Sequence, residues 1–175
     1  MVEHRLIEKM LALANRKTAA MTEENYDHVF VDEVVDFITT YADRTHHGKE
    51  ENILFAELAG KKLDDANARV MAELIDEHRQ ARRKVAEIAE LNERFKNGER
   101  TAVGGIKEHI SWLASFYPPH IRKEDDAFFP DTEKYFDESE LDAMLERFRD
   151  FDGTMIHEKY RKLLEALDDG KSARM

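Results

Sequence analysis

The sequence predicts an all-α protein: an antiparallel up-down helical bundle with a four-helix core and an additional segment that is proline-interrupted or C-terminal. Apolar residues recur with a helical period along nearly every long segment, and no stretch alternates convincingly as a β-strand. Short polar connections join the periodic segments, which favours antiparallel neighbours. The length of 175 residues suits one domain, and we expect residues 1–175 to form it.

Two helices are expected in the first third of the chain. The first is marked by an apolar stripe that includes Ile7 and Leu11, and it fades near Ala20. The second begins near Asp27, whose carboxylate can accept from the first unpaired backbone N–H groups of a helix, and it ends at Gly60.

The middle of the chain predicts a third and a fourth helix. The third runs from about Asp64 to a stop at Gly98. The fourth carries Ile106 and meets Pro118 and Pro119, which should break or kink it because proline lacks the N–H group and crowds the preceding turn.

A fifth helix closes the chain. It starts near Asp137 or Ser139, and its apolar residues continue with a helical period to Gly170.

Charge and cysteine content exclude several classes of function. Lys and Arg number 27 against 38 Asp and Glu, a formal net charge of -11, which argues against nucleic acid or an anionic membrane as the main partner. Cysteine is absent, so any metal must be held by nitrogen and oxygen atoms. There is no signal-peptide pattern and no apolar run of membrane-spanning length, so we expect a cytoplasmic protein.

The most informative pattern is a histidine followed four residues later by a glutamate, found twice before an apolar cluster. The pairs are His47 with Glu51 and His120 with Glu124. Residues four apart share a helix face, so each pair can present an imidazole and a carboxylate to one point in the interior. A buried carboxylate is costly unless it is paired or coordinates a metal. Two such pairs in a helical chain therefore predict a two-metal site.

The other histidines divide into two sets. His4, His78 and His157 lie on apolar helix faces, whereas His28 and His109 are interpreted as surface or helix-end residues. A single inward histidine is more often a structural residue than a ligand, but five of them with two carboxylates favour a metal centre. On a helical wheel, His46 and Glu50 are rotated by about 100° from His47 and Glu51, and they are assigned to the surface. The predicted metal ligands are His4, His47, Glu51, His78, His120, Glu124 and His157, and no catalytic residue is predicted.

The donor types restrict the metal. Imidazole with carboxylate suits iron, zinc or manganese, and seven ligands exceed the need of one tetrahedral zinc. They suit two octahedral ions that share bridging carboxylates. The Glu-x-x-His pair of ferritin-like bundles is absent. The His-Glu-x-x-His motif of zinc proteases is absent too, because His157-Glu158 is followed by Lys159, Tyr160 and Arg161.

Together these residues resemble the hemerythrin family, also described as the HHE cation-binding domain. The resemblance implies a helical bundle with a non-heme di-iron centre, in which two iron ions per chain are joined by an oxo or hydroxo bridge. Five histidines and two bridging carboxylates would hold them; carried over by motif, these include His4, His47, Glu51, His78, His120 and Glu124. The matching segments span nearly the whole chain: Glu3–Ile7, His46–Glu51, Glu77–Arg79 and Pro119–Pro130.

One departure from the family pattern concerns the third helix. Oxygen-carrying hemerythrins have two histidines four apart there, but Leu74 and Arg82 stand on either side of His78. We expect His157 on the last helix to supply the fifth imidazole, with Gly153 one turn before it leaving space for the cluster. The alternative is that His157 lies outside the ligand set.

The resemblance implies binding of O2, or of a related small ligand such as NO or peroxide, for sensing, scavenging or storage. The departure in the third helix favours these roles over bulk oxygen transport. Two alternatives stay open: a di-iron enzyme that reduces peroxide or NO, and an iron-responsive interaction module. Multiple turnovers with a reductant would identify the enzyme, whereas loss of helicity on chelation would favour the module. The expected partner is a small diatomic ligand, without nucleic acid or membrane.

Overall fold

The computed structural model describes residues 2–152 and 156–168, and most of them are helical. Within these ranges no strand occurs, so the predicted all-α class is confirmed. The α-helices are α1 (Val2–Ala19), α2 (His28–Phe37), α3 (Phe55–Ala59), α4 (Asp65–Lys96), α5 (Ala102–Lys123), α6 (Phe129–Thr132), α7 (Glu138–Asp152) and α8 (Ile156–Asp168). Three π-helical segments, π1 (Ile38–His47), π2 (Glu50–Leu54) and π3 (Glu124–Phe128), and a 3₁₀ turn (Glu133–Tyr135) complete the described backbone.

Four long helical runs form the predicted antiparallel bundle. They are α1, the run 28–59, α4 and the run 102–132, and helical backbone is continuous within each. Helix α5 packs against α1 and α4, while α2 packs against α4 and α1. The runs therefore form a ring in which α1 lies diagonally opposite α4.

The ends of the runs follow the local signals in the sequence. Asp27 accepts from Phe30 N at 3.0 Å, so the predicted N-cap is confirmed. Asp64, the expected start of the third helix, caps α4 in the same way by accepting from Asn67 N at 2.8 Å. Helix α4 ends just before Gly98, whose φ of 103° is a left-handed conformation that glycine adopts without strain.

The two proline residues do not break α5, so of the predicted break or kink the break does not occur. Helix α5 contains Pro118 and Pro119 and continues to Lys123. A proline removes one backbone hydrogen bond and crowds the carbonyl four residues earlier. The side chains of Tyr117 and Ile121 on either side are buried, and the packing that they gain keeps this segment helical.

Two of the apolar clusters in the described part of the bundle have polar residues between them. Along α5 and π3, Tyr117 belongs to the larger cluster and Phe128 to the smaller one, and His120 and Glu124 lie between them. The larger cluster includes Ile7, fully buried in α1. A fully buried side chain of this kind contributes about 1.5–3 kcal/mol. The apolar clusters therefore hold the four runs together on both sides of a polar layer.

The C-terminal helices add to the four-run bundle. Helix α7 contacts π2, and α8 contacts α1 and π1. The predicted fifth helix is thus present as two described helices, and Gly153 lies outside the described residues. None of the described helices is long and apolar enough to cross a membrane.

Candidate metal centre

The polar layer contains two groups of buried side chains. Within each group, the donor atoms lie within 4.8 Å of one another. Every one of the four runs contributes to them. The three-histidine group consists of His47, His78 and His120; the two-histidine group consists of His4, His46, Glu50 and Glu124.

Glu124 lies between the two groups. Its Oε2 is 3.3 Å from His4 Nε2 in the two-histidine group, and its Oε1 is 3.3 Å from His120 Nε2 in the three-histidine group. One carboxylate oxygen therefore faces each group.

The two carboxylate oxygens of Glu50 also face different groups. Its Oε1 is 3.3 Å from His46 Nε2, and its Oε2 is 3.5 Å from His78 Nε2. Two carboxylates with one oxygen toward each group have the placement needed to bridge a pair of cations.

Each imidazole in the two groups has a carboxylate beside its Nδ1. An ionised carboxylate can only accept, so Nδ1 carries the hydrogen and the lone pair of Nε2 faces the interior. The tautomer of all five rings is thereby fixed in the form that ligates a metal through Nε2. The pairs are Asp125 with His4 at 3.0 Å, Glu3 with His46 at 3.0 Å, Asp43 with His47 at 3.3 Å, Glu51 with His78 at 2.7 Å and Glu77 with His120 at 2.8 Å.

The inward-facing atoms fit a cation. The Nε2 atoms of His4 and His46 lie 2.8 Å apart, although both present lone pairs when their Nδ1 atoms donate. Leaving a buried polar group unpaired costs about 1–3 kcal/mol, and more if it is charged. Bound metal ions would satisfy these atoms, and the nitrogen and oxygen donors suit iron, manganese or zinc. Within the described residues, the buried atoms without a hydrogen-bond partner include Nε2 of His47 and His78 and both oxygens of Glu50 and Glu124.

The pKa shifts in the polar layer are also consistent with a cation site. Burial, followed by the charge of Glu124, raises the pKa of Glu50 well above its ordinary value. Burial, followed by the neighbouring His78, lowers the pKa of His47 well below its ordinary value. The site without a cation thus favours an uncharged carboxyl and a neutral imidazole. A bound cation would favour the ionised carboxylate and keep the imidazole neutral as a ligand.

The prediction of His47 and Glu51 as the inward pair, with His46 and Glu50 turned away, is wrong in three of its four residues. His46 and His47 are both buried, and Glu50 is the inward carboxylate. Glu51 lies outside both groups and binds His78 Nδ1. The helical wheel assumed 100° per residue, but π1 and π2 have the wider turn of a π-helix, so neighbours diverge less. All residues from 45 to 50 are consequently buried.

The structure does not place His157 with the other predicted histidine ligands, because its donor atoms group with those of Glu3 and Asp152. Its side chain is 39% exposed, its Nδ1 lies 2.8 Å from the Tyr41 hydroxyl, and its Nε2 lies 3.2 Å from Asp152. The fifth imidazole in the two groups belongs to His46, which the helical wheel had assigned to the surface. His157 also lies near Glu3, but the ammonium of Lys49 pairs with the carboxylates of both Glu3 and Asp152.

Arg82 lies on α4 four residues after His78, where the family pattern has a second histidine, and it has a structural role there. Its guanidinium lies 2.7 Å from Asp43 and 2.8 Å from Glu51. These are the carboxylates at Nδ1 of His47 and His78, so Arg82 holds the supports of two imidazoles in place. The third-helix departure therefore does not leave the cluster short of a histidine.

A repeat of 74 residues relates the two halves of the cluster. His4 and His78, His46 and His120, and Glu50 and Glu124 are each 74 positions apart. The π-segments repeat likewise, because π2 begins at Glu50 and π3 at Glu124. Since α1 and α4 are diagonal in the bundle, this repeat is an approximate twofold relation across the site. The sequence therefore contains a signal for His46, which follows His4 by 42 residues just as His120 follows His78 by 42. Glu50 follows His46 by four residues, as Glu124 follows His120.

A family model, the hemerythrin HHE cation binding domain, matches residues 1–132 and again residues 72–174. The chain belongs to the hemerythrin family. The second match begins near the start of α4, which agrees with the repeat in this hemerythrin domain. Neither the curated proteins nor the solved structures gave a match. As a member of this family, the chain is a hemerythrin-like cation-binding domain with a candidate metal site of histidines and glutamates.

Glu77→Ala is expected to weaken metal binding about 10–100-fold, because losing the carboxylate at Nδ1 of a ligand releases its orientation and lowers its basicity. Glu77 Oε2 lies 2.8 Å from His120 Nδ1, and Lys123 pairs with the same carboxylate. The control is Glu73→Ala, one turn earlier, whose exposed carboxylate lies 3.5 Å from Lys123. Competition with a chromophoric chelator measures both. Equal affinities for the two variants would contradict the assignment.

Proposed function

We propose that this hemerythrin-family protein holds two iron ions per chain and binds O2, or a related small ligand such as NO or peroxide, for sensing, scavenging or storage. The observation that carries the proposal is the division of seven inward donor side chains into two groups with a carboxylate oxygen facing each. His47, His78 and His120 would hold one ion, His4 and His46 the other, and Glu50 and Glu124 would bridge them.

Iron is the metal that this donor set favours for such a role. Five imidazoles and two carboxylates without sulfur suit a six-coordinate ion. Two ferrous ions held by these residues would supply the electrons to bind O2 reversibly or to react with it, and they would also bind NO. These ions can do so only if the side chains around them keep their geometry.

The chain's own residues supply that geometry. The five carboxylates at the Nδ1 atoms hold each ring in one orientation and one tautomer. Phe55 stacks on His78 with ring centroids 6.1 Å apart, and Phe129 stacks on His4 at 6.3 Å. Phe55 is buried, and these rings exclude water from both ends of the layer. A dry site slows the escape of a charged, reduced ligand into solvent.

Metal content per chain is the experiment that tests the proposal. Protein produced with ample iron and purified without chelators is expected to contain about two irons per chain, as six-coordinate ions with N and O donors require. The reduced protein is then mixed with O2 in a stopped-flow spectrometer. A reversible optical change supports carriage or sensing, and an irreversible one supports scavenging. Folded protein with only zinc, or with no metal, would overturn the proposal.

A further inference from the structure

A cavity of about 200 Å³ lies between π1 and α4, beside the candidate metal centre. The ring of His47, which belongs to the three-histidine group, forms part of its wall. The apolar part of the wall comes from α2, π1 and α4 and includes Val35, Ile38 and Val85. Since an apolar cavity of about 150 Å³ can hold benzene, this cavity has room for a small organic molecule.

The two charged residues in the wall favour a neutral occupant. Arg82 Nε donates to the carboxylate of Asp43 at 2.7 Å, and the guanidinium also lies 2.8 Å from Glu51. Asp43 would repel an anion in the cavity, and Arg82 would repel a cation. Because these charges already have partners in the protein, the cavity does not need a charged ligand to neutralise them.

Tyr117 contributes a hydroxyl group that has no partner. This residue is 2% exposed, and its hydroxyl makes no hydrogen bond within residues 2–152 and 156–168. Burial, followed by the charge of Asp43 in the same wall, raises the pKa of Tyr117, so the hydroxyl keeps its proton and is a donor. A buried donor without a partner is costly, so an oxygen acceptor in the cavity would be held by this group.

The 74-residue repeat explains why this hydroxyl is unpaired. Tyr117 is the counterpart of Asp43, whose carboxylate lies 3.3 Å from Nδ1 of His47, four residues later in the chain. Four residues after Tyr117 stands Ile121, which has no polar side-chain atom. Tyr117 thus has no imidazole to orient, and its hydroxyl is available to a molecule in the cavity.

We propose that this cavity binds a small neutral organic molecule with an apolar body and one oxygen atom that accepts a hydrogen bond from Tyr117. Such pockets are mostly apolar, with a few polar groups that fix the orientation of the ligand. The apolar wall packs against the body of the molecule, and the hydroxyl orients its oxygen. The bound molecule also meets the ring of His47, so this second site adjoins the candidate metal centre. The inference does not depend on which metal the centre holds.

Cyclopentanone and methylenecyclopentane are the matched probes, because they differ only in an oxygen atom that a methylene group replaces. Their binding to the full chain, as purified with its metal, is measured from the loss of vapour above the protein solution. The wild type is expected to bind one cyclopentanone per chain. Tyr117→Phe is expected to bind cyclopentanone about tenfold more weakly and methylenecyclopentane no more weakly than the wild type does. The variant should fold normally, because the hydroxyl that it lacks has no partner in the described part of the protein.

Ala81→Leu enlarges a buried side chain of the wall and is expected to lose binding of both probes. The controls are Ala72→Leu, exposed on α4, and Tyr26→Phe, whose hydroxyl donates to Asn92; both should bind cyclopentanone as the wild type does.

The absence of saturable cyclopentanone binding to the wild type would overturn the inference, and so would equal affinities for the wild type and Tyr117→Phe. Unchanged binding by Ala81→Leu would place the molecule elsewhere and overturn it too. If Ala81→Leu does not fold, the comparison of Tyr117→Phe with the wild type decides alone. None of these results bears on the iron content, which tests the proposed function separately.

Discussion

Removing the metal is expected to lower the midpoint of thermal unfolding by about 8–16 °C for each ion that is present at 1,000 times its Kd. The ligands come from all four helical runs, and the unfolded chain does not assemble them. The folded, metal-loaded protein is therefore stabilised against unfolding by the free energy of metal binding. The metal-free protein in addition retains two buried carboxylates without hydrogen-bond partners among the described residues.

The measurement is calorimetric unfolding of iron-loaded protein before and after chelation. The comparison variant is Glu50→Ala, which lacks one of the two inward carboxylates and should show a smaller difference between the two midpoints. Identical midpoints for loaded and chelated wild type would contradict a centre that joins the four runs.

Substitutions of the neighbouring residues Glu50 and Glu51 should differ in effect. The first should change the number of metal ions bound, and the second should change only the affinity. Glu50→Gln is expected to abolish the two-metal stoichiometry and to stabilise the metal-free protein by about 1–2 kcal/mol. The introduced amide is neutral, and its single nitrogen can donate to Nε2 of either His46 or His78, which lie 3.3 and 3.5 Å from the two carboxylate oxygens.

Glu51→Gln is the matched variant. Glu51 binds His78 Nδ1 at 2.7 Å and Arg82 at 2.8 Å, outside the donor cluster. Its loss should leave the metal stoichiometry unchanged and weaken affinity by about 10–100-fold at most. Elemental analysis and chelator competition separate the two cases. Loss of one metal in Glu51→Gln with retention of both in Glu50→Gln would reverse our assignment of the inward carboxylate.

Much of the fold could be predicted from local signals in the sequence. Asp27 and Asp64 cap helices, and Gly98 ends one, because these effects depend on the residue and its immediate backbone. The apolar period identified the four runs for the same reason. The prolines in α5 were misjudged because tertiary packing of Tyr117 and Ile121 outweighs the local preference.

The candidate site was predictable in type and partly in residues. His4, His47, His78, His120 and Glu124 were among the predicted ligands, and the structure places each of them in one of the two groups. The error at residues 46–51 came from a single assumption, since a fixed rotation per residue cannot represent a π-helix. The assignment of His157 followed from it, because excluding His46 left the predicted ligand set one imidazole short.

The diagonal repeat has a consequence for biosynthesis. His4 leaves the ribosome long before Glu124, the carboxylate that contacts it, because 120 residues separate them in the chain. At about 5–20 residues per second, the interval is roughly 6–24 s. Throughout this interval the first half of the chain offers only its own share of the donors to a metal. A metal ion held by donors from both halves can bind only after α4 and α5 have docked, so we expect metal insertion to be a late event in the maturation of this protein.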